Sequence, residues 1–222
     1  MTLKPINPNT QHKNEHTLYL GGSGAGKSQA VISNAAIPKK GRVILWDASG
    51  DHAGIHTEDK REFLKLLKAG IKHGSFRVAY AGSTVEDYEW FCGVVWAVLD
   101  GNHKTHVIAE ELSQVCKHAG KASNNAAVLL NQGRKYGLVF HGVSQKPQEI
   151  SKTYFDQCER KYIGVFRGKN ASLMADYLAS DLTGADISAL QPLQFYYDDG
   201  QATSRPVLKK LKYKQLQGVK WV

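Results

Sequence analysis

Thr17-Leu18-Tyr19-Leu20-Gly21-Gly22-Ser23-Gly24-Ala25-Gly26-Lys27-Ser28-Gln29 joins a short apolar run to a glycine-rich octet with the spacing G-x-x-x-x-G-K-S, and a helical pattern opens at Lys27. Apolar runs this short, bounded by glycine, read as buried strands. The glycines let the backbone turn its N–H groups inward around a phosphate, and the helix that follows offers its positive end. Lys27 is long enough to reach the outer phosphates, and Ser28 is placed to hold Mg²⁺. Gly21, Gly22, Ser23, Gly24, Ala25, Gly26, Lys27, Ser28 and Gln29 are therefore the expected ATP-binding residues, with Lys27 also acting in the chemistry.

Outward from that octet, short apolar runs alternate with longer amphipathic ones, the rhythm of a mainly parallel sheet covered by helices. Strands are expected over 17–20, 42–46, 76–80, 106–109, 138–143, 162–166 and 194–197, and helices over 27–34, 60–68, 85–99, 123–132, 147–158 and 170–178. The chain has 222 residues, 42% of them hydrophobic, which is enough for one α/β core and too few for two comfortable ones. The expected organisation is a polar N-terminal arm over 1–16, a single α/β domain over 17–200 and a basic C-terminal extension over 201–222. No apolar run reaches the roughly eighteen residues of a membrane span, and the polar opening residues are unlike a signal peptide. The expectation is a soluble chain without a transmembrane segment of its own. Three cysteines, Cys92, Cys116 and Cys158, without a C-x-x-C pair point to structural thiols in a reducing compartment.

Hydrolysis of a nucleotide needs a carboxylate for the metal shell and a group to orient the attacking water. Thr105-His106-Val107-Ile108-Ala109-Glu110-Glu111 ends an apolar run in two acids, with Glu110 expected beside Mg²⁺ and Glu111 expected to orient water. An acidic pair favoured at the start of a helix is the competing reading. Leu138 to Val143 is followed by Ser144-Gln145-Lys146-Pro147, and Gln145 is the expected sensor of the terminal phosphate or the water. A polar residue capping the turn before Pro147 is the alternative. Asp47, in Asp47-Ala48-Ser49-Gly50-Asp51-His52, either joins the outer metal shell or caps a turn. The pairs His52/His56 and His103/His106 lack the further ligands of a zinc site. Tyr88, Trp90, Phe91 and Trp96 fall at helical spacing and read as core or subunit contacts.

The net charge of +9 calls for a polyanionic partner or simply a solvated basic surface. Arg205, Lys209, Lys210, Lys212, Lys214 and Lys220 follow one another with no acid between them, as either a phosphate grip or a solvated tail.

Taken together, GGSGAGKS, VILWDASGDH, VIAEE, GRKYGLVFHGVSQKP and LQPLQFYYDDG resemble the FtsK/HerA superfamily of DNA-pumping ATPases. Within it, the chain looks like the genome-packaging ATPases of tailless, internal-membrane double-stranded DNA viruses. The resemblance covers most of residues 17 to 200. It implies a RecA-like P-loop core, a ring of identical subunits with a hexamer favoured, and ATP and Mg²⁺ at subunit interfaces. It also implies double-stranded DNA as substrate, capsid or viral membrane vertex proteins as partners, and residence at the packaging vertex and in host cytoplasm. Arg134 matches the arginine that completes a neighbour's site, with Arg160 and Arg167 as second choices. After Glu111, Lys117 and Lys121 are expected on a DNA-facing loop, or else on a solvated connector. The family usually has aspartate where this chain has Glu110. A HerA-like or conjugation-type cellular pump, a small-molecule kinase and a nucleotide-gated binding protein are the rival functions.

Overall fold

Val43, Ile44, Leu45 and Trp46 are all buried although they point alternately to opposite faces, as in a sheet covered on both sides. The computed structural model describes residues 4–116, 119–178 and 180–222. Strands β1 (Thr17–Leu20), β2 (Arg42–Trp46), β3 (Gly54–Thr57), β4 (Phe76–Tyr80), β5 (Thr105–Ala109), β6 (Leu138–Ser144), β7 (Arg160–Ile163), β8 (Gln194–Asp198), β9 (Val207–Lys210) and β10 (Val219–Trp221) form one ten-stranded sheet. Its order is β10-β3-β4-β2-β5-β6-β1-β7-β8-β9. All neighbours pair in parallel except β7 with β8 and β8 with β9. The expected α/β class, a mainly parallel sheet flanked by helices, is the observed one.

Helices α1 (Lys27–Ser33), α2 (Lys60–His73), α3 (Val85–Val98), α4 (Leu112–Val115), α5 (Asn124–Gln132), α6 (Lys152–Gln157), α7 (Lys169–Tyr177) and α8 (Gly184–Ala189) cover the sheet unequally. Leu18, Leu20, Ile44, Trp46, Val107 and Phe140 pack into the larger core with Phe63 of α2, Phe91 of α3, Leu129 of α5 and Met174 of α7. Tyr19, Val43, Leu45, Ile108 and Val143 face the other way and meet Ala30 and Val31 of α1. Beneath α1 this second face is partly polar. His106 Nδ1 lies 3.0 Å from His141 Nε2, His141 Nδ1 lies 3.3 Å from the Tyr19 hydroxyl, and Asn34 donates to that hydroxyl at 2.6 Å.

Local chemistry sets the ends. Asp59 accepts from the Glu62 N–H to start α2, and the helix runs past the expected Lys68 to Gly74, whose φ of 78° supplies the left-handed stop. The expected helix over 147–158 is instead a 3-10 turn at Pro147–Glu149 and the separate α6. Extended Ile150 breaks it, and the Ser151 side chain accepts from Thr153 N–H to start again. β7 begins two residues before the expected strand and ends at Ile163, after which Gly164 N–H still reaches Leu20 O.

Residues 201–222 supply both outer strands, β9 on one edge and β10 on the other. Between them the chain passes beside α1. Gln29 Nε2 donates to Lys214 O at 3.0 Å, and Lys214 N–H donates to Gln29 Oε1 at 2.7 Å. At the opposite end of the sheet, Asn9 N–H reaches Lys135 O and His12 Nε2 meets Gly101 O at 2.8 Å.

Candidate active site

The order β5-β6-β1 decides the geometry, because parallel strands deliver their C-terminal ends side by side. The glycine-rich loop follows β1, Glu110 and Glu111 follow β5, and Gln145 follows the strand between them. In the loop, Gly24 and Gly26 have φ of 74° and 91°, left-handed values open to glycine. A Cβ on Gly26 would lie 2.6 Å from Leu193 Cδ2. Gly22 N–H donates to Val165 O, and Leu193 N–H donates to Ala25 O, so the loop is anchored from two other segments. The Lys27 ammonium is folded back onto Gly22 O at 3.2 Å. Burial lowers its proton affinity, while Glu111, Glu110 and Asp51 oppose that shift.

Gly24, Gly26, Lys27, Ser28, Gln29, Asp51, Glu110 and Glu111 line one hollow of about 270 Å³. Gln145 Nε2 donates to Glu111 Oε1 at 2.9 Å. Glu111 Oε2 is buried and has no hydrogen-bond partner among the described residues, and Glu111 itself has a φ of 49°. An acid held in left-handed backbone with an orphaned oxygen is costly, and such strain gathers at functional sites. Side-chain oxygens able to ligate a cation, a lysine held, among the described residues, only by the Gly22 carbonyl and an unsatisfied carboxylate oxygen fit a metal-bound triphosphate. Ser28 Oγ and Glu110 are the residues able to hold the ion.

Glu110 is buried and bonded to His52, whose Nε2 lies 2.5 Å from Glu110 Oε1. Burial pushes the Glu110 carboxyl above its usual range, with His52 opposing. Burial would lower His52, but the bond to Glu110 and its charge outweigh it and hold the imidazole above its ordinary value. Asp47 resolves to the turn-capping reading: it accepts from the Asp51 N–H at 3.0 Å and the His52 N–H at 2.9 Å. His56 Nε2 also meets Asp47 Oδ2, at 3.0 Å, with both side chains fully buried.

Asp51 in the hollow and His52 on Glu110 are the site residues that the sequence reading did not assign. Their available signal was position, since they follow β2 at the sheet end where ligands gather.

Other expected residues lie elsewhere. Arg134 sits at the far end of β6 from Gln145, roughly 23 Å along the strand. Its Nη1 donates to His12 O, with Thr10 O at 3.5 Å. Arg160 is also at that end, 3.7 Å from Glu15, whereas Arg167 is exposed just beyond the Val165 carbonyl that anchors the loop. Lys121 is exposed between α4 and α5, on a stretch tied to α6 by Ser151 Oγ donating to Gly120 O. Lys117 lies outside the described residues. His103 pairs with Asp100 at 2.9 Å, and His106 belongs to the buried histidine row.

Protein P9 of Pseudoalteromonas phage PM2 is 36% identical to this chain over 204 residues, covering 89% of the chain and 90% of P9. The chain belongs to the P9 family. No family model matches it. The P9-family fold seen here is shared with solved structures. The genome packaging NTPase B204 from Sulfolobus turreted icosahedral virus 2, in complex with AMPPCP, superposes with a TM-score of 0.66 at 15% identity over 94% of this chain and all of that one. VirB4 of Thermoanaerobacter pseudethanolicus gives 0.61 at 10% identity over 91% and 90%. The fold implied by the FtsK/HerA-type resemblance is thus the fold of this P9-family chain. Among the described residues no helix is long and apolar enough to cross a membrane.

Proposed function

We propose that this protein is a Mg²⁺-dependent ATPase that drives double-stranded DNA into a preformed viral capsid. The observation that carries the hydrolytic part is the 2.9 Å contact from Gln145 to Glu111, beside the loop that presents Lys27. When bound, magnesium ATP supplies a polarised phosphoanhydride whose developing charge must be neutralised. Gly24 and Gly26 turn the loop around the phosphates, and Lys27 leaves Gly22 O to pair with the outer ones. Glu111 orients the attacking water through the oxygen that has no hydrogen-bond partner among the described residues. Gln145 fixes that carboxylate from its other oxygen and exchanges this bond for the terminal phosphate, so its position reports the nucleotide state.

Kinship with P9 and the shared fold with a genome packaging NTPase support the viral reading over a small-molecule kinase. The net charge of +9 supports a phosphate-backbone partner, gripped without sequence preference. In this reading identical subunits form a ring, a hexamer favoured, with Arg134 completing a neighbour's site and Lys117 and Lys121 facing DNA. The ring docks on capsid or membrane proteins at the packaging vertex.

Steady-state ATP hydrolysis with and without double-stranded DNA, at low salt with Mg²⁺ and with Lys27→Ala as blank, tests this. Stimulation by DNA that is absent from the variant is expected. Turnover indifferent to DNA, with dependence on a small metabolite, would replace the translocase with a kinase.

A further inference from the structure

We infer that His52 is a positioning residue for Glu110, setting the one rotamer in which this glutamate can serve the metal site. The inference rests on the reading of Glu110 as the metal-site carboxylate. Glutamate carries one more methylene than the aspartate usual at this place, so its carboxyl can swing through more rotamers. Here the choice is made by His52, whose Nε2 contacts Glu110 Oε1 at 2.5 Å with the imidazole 1% and the glutamate side chain 8% exposed. The bond leaves Oε2 of Glu110 as the oxygen able to meet an ion beside Ser28. Carboxylates that hold a metal are themselves hydrogen-bonded from one layer out, which fixes their direction.

His52 is itself held. Its backbone N–H is bonded to Asp47 Oδ2, the oxygen that also meets His56 Nε2. His56 in turn packs against Trp221 of β10, with ring centroids 5.0 Å apart and the ring planes tilted by 38°, and its carbonyl accepts from Val222 N–H at 3.0 Å. Every link is buried except the exposed faces of Trp221 and Val222, so the loop after β2 is clamped before it delivers His52.

Calorimetric titration of ATP into the full chain, across a series of Mg²⁺ concentrations and in chelator, tests the assignment. His52→Leu should raise the Mg²⁺ concentration for half-maximal tightening by about tenfold or more, leaving metal-free ATP affinity within about twofold. His52→Gln, whose amide can donate to Glu110, should recover most of the loss. In a Glu110→Gln background, His52→Leu should change nothing further. Unchanged Mg²⁺ dependence in His52→Leu, with ATP binding abolished in Lys27→Ala, overturns the positioning role alone. Lys27→Ala binding ATP as the unaltered protein does overturns this role and the nucleotide-site reading together.

Discussion

Gln145 and Glu111 are hydrogen-bonded to each other at 2.9 Å although 34 residues separate them, and the bond bridges the ends of two adjacent parallel strands. Glu111 stands in left-handed backbone with its second oxygen buried and without a hydrogen-bond partner among the described residues. Glu111→Gln should therefore keep ATP binding and lower turnover by at least about 100-fold, the scale of a lost catalytic base. Gln145→Ala should cost about tenfold, the loss of one hydrogen bond to a charged group. Equilibrium binding and single-turnover hydrolysis separate the two quantities.

Glu111→Gly should abolish turnover and yet stabilise the fold by about 1 kcal/mol, because glycine accepts φ of 49° without the steric cost borne by other residues. Thermal denaturation of the nucleotide-free protein reads the gain.

Gly26→Ala should weaken ATP binding by about tenfold or more. The added methyl meets Leu193 Cδ2 at 2.6 Å in backbone with φ of 91°, so the loop must leave its present course. Fluorescent-nucleotide titration checks this, with circular dichroism showing the fold retained.

Stability should fall as pH drops from about 6.5 to about 4. Burial depresses His16 and His106 to about 4 and holds His141 well below the usual range. Arg134 and Glu15 act on His16; Glu15, Lys104 and Arg77 on His106; and His106, His16, Arg160 and His52 on His141. All three histidines are neutral when folded, and the unfolded chain takes up protons below its ordinary histidine range. Their contribution is complete above about 6.5, with each of the first two losing up to about 3 kcal/mol on the way down. Urea midpoints at pH 7.5 and 5.0 measure the slope, which His141→Phe should flatten.

Mixing tests the trans arginine. Arg134→Ala and Lys27→Ala should each be inactive, and an equimolar mixture should recover turnover, because one subunit brings an intact loop and its neighbour an intact arginine. Phosphate release reads the recovery; no recovery, or full activity of Arg134→Ala alone, would remove Arg134 from the site.

Much of this was legible in the sequence because the informative residues carry their geometry with them. G-x-x-x-x-G-K-S after an apolar run dictates a strand, a turn and a helix, and all three occur where expected. Glu110, Glu111 and Gln145 were legible as acids and an amide at the ends of apolar runs. Asp51 and His52 were not, since nothing local says that the loop after β2 folds back over the sheet onto Glu110. β3, β9 and β10 were missed for a related reason. They are three or four residues long and lie at or next to the sheet's edges; β3 buries the polar His56 and Thr57, and β9 and β10 carry the partly exposed Lys209 and the exposed Lys220, so no apolar run marks any of them.

The segment joining β9 to β10 sets a limit on shape. Ten strands laid flat at about 4.8 Å spacing would hold the outer two roughly 43 Å apart. The eight residues from 211 to 218 can bridge at most about 30 Å. This strap therefore closes only over a coiled sheet, and Gln29 pins it midway, one residue past Ser28. Flattening would pull on the pin or peel an edge strand away, so the coil of the sheet and the seat of the phosphate loop are tied as a bowstring ties the two ends of a bow.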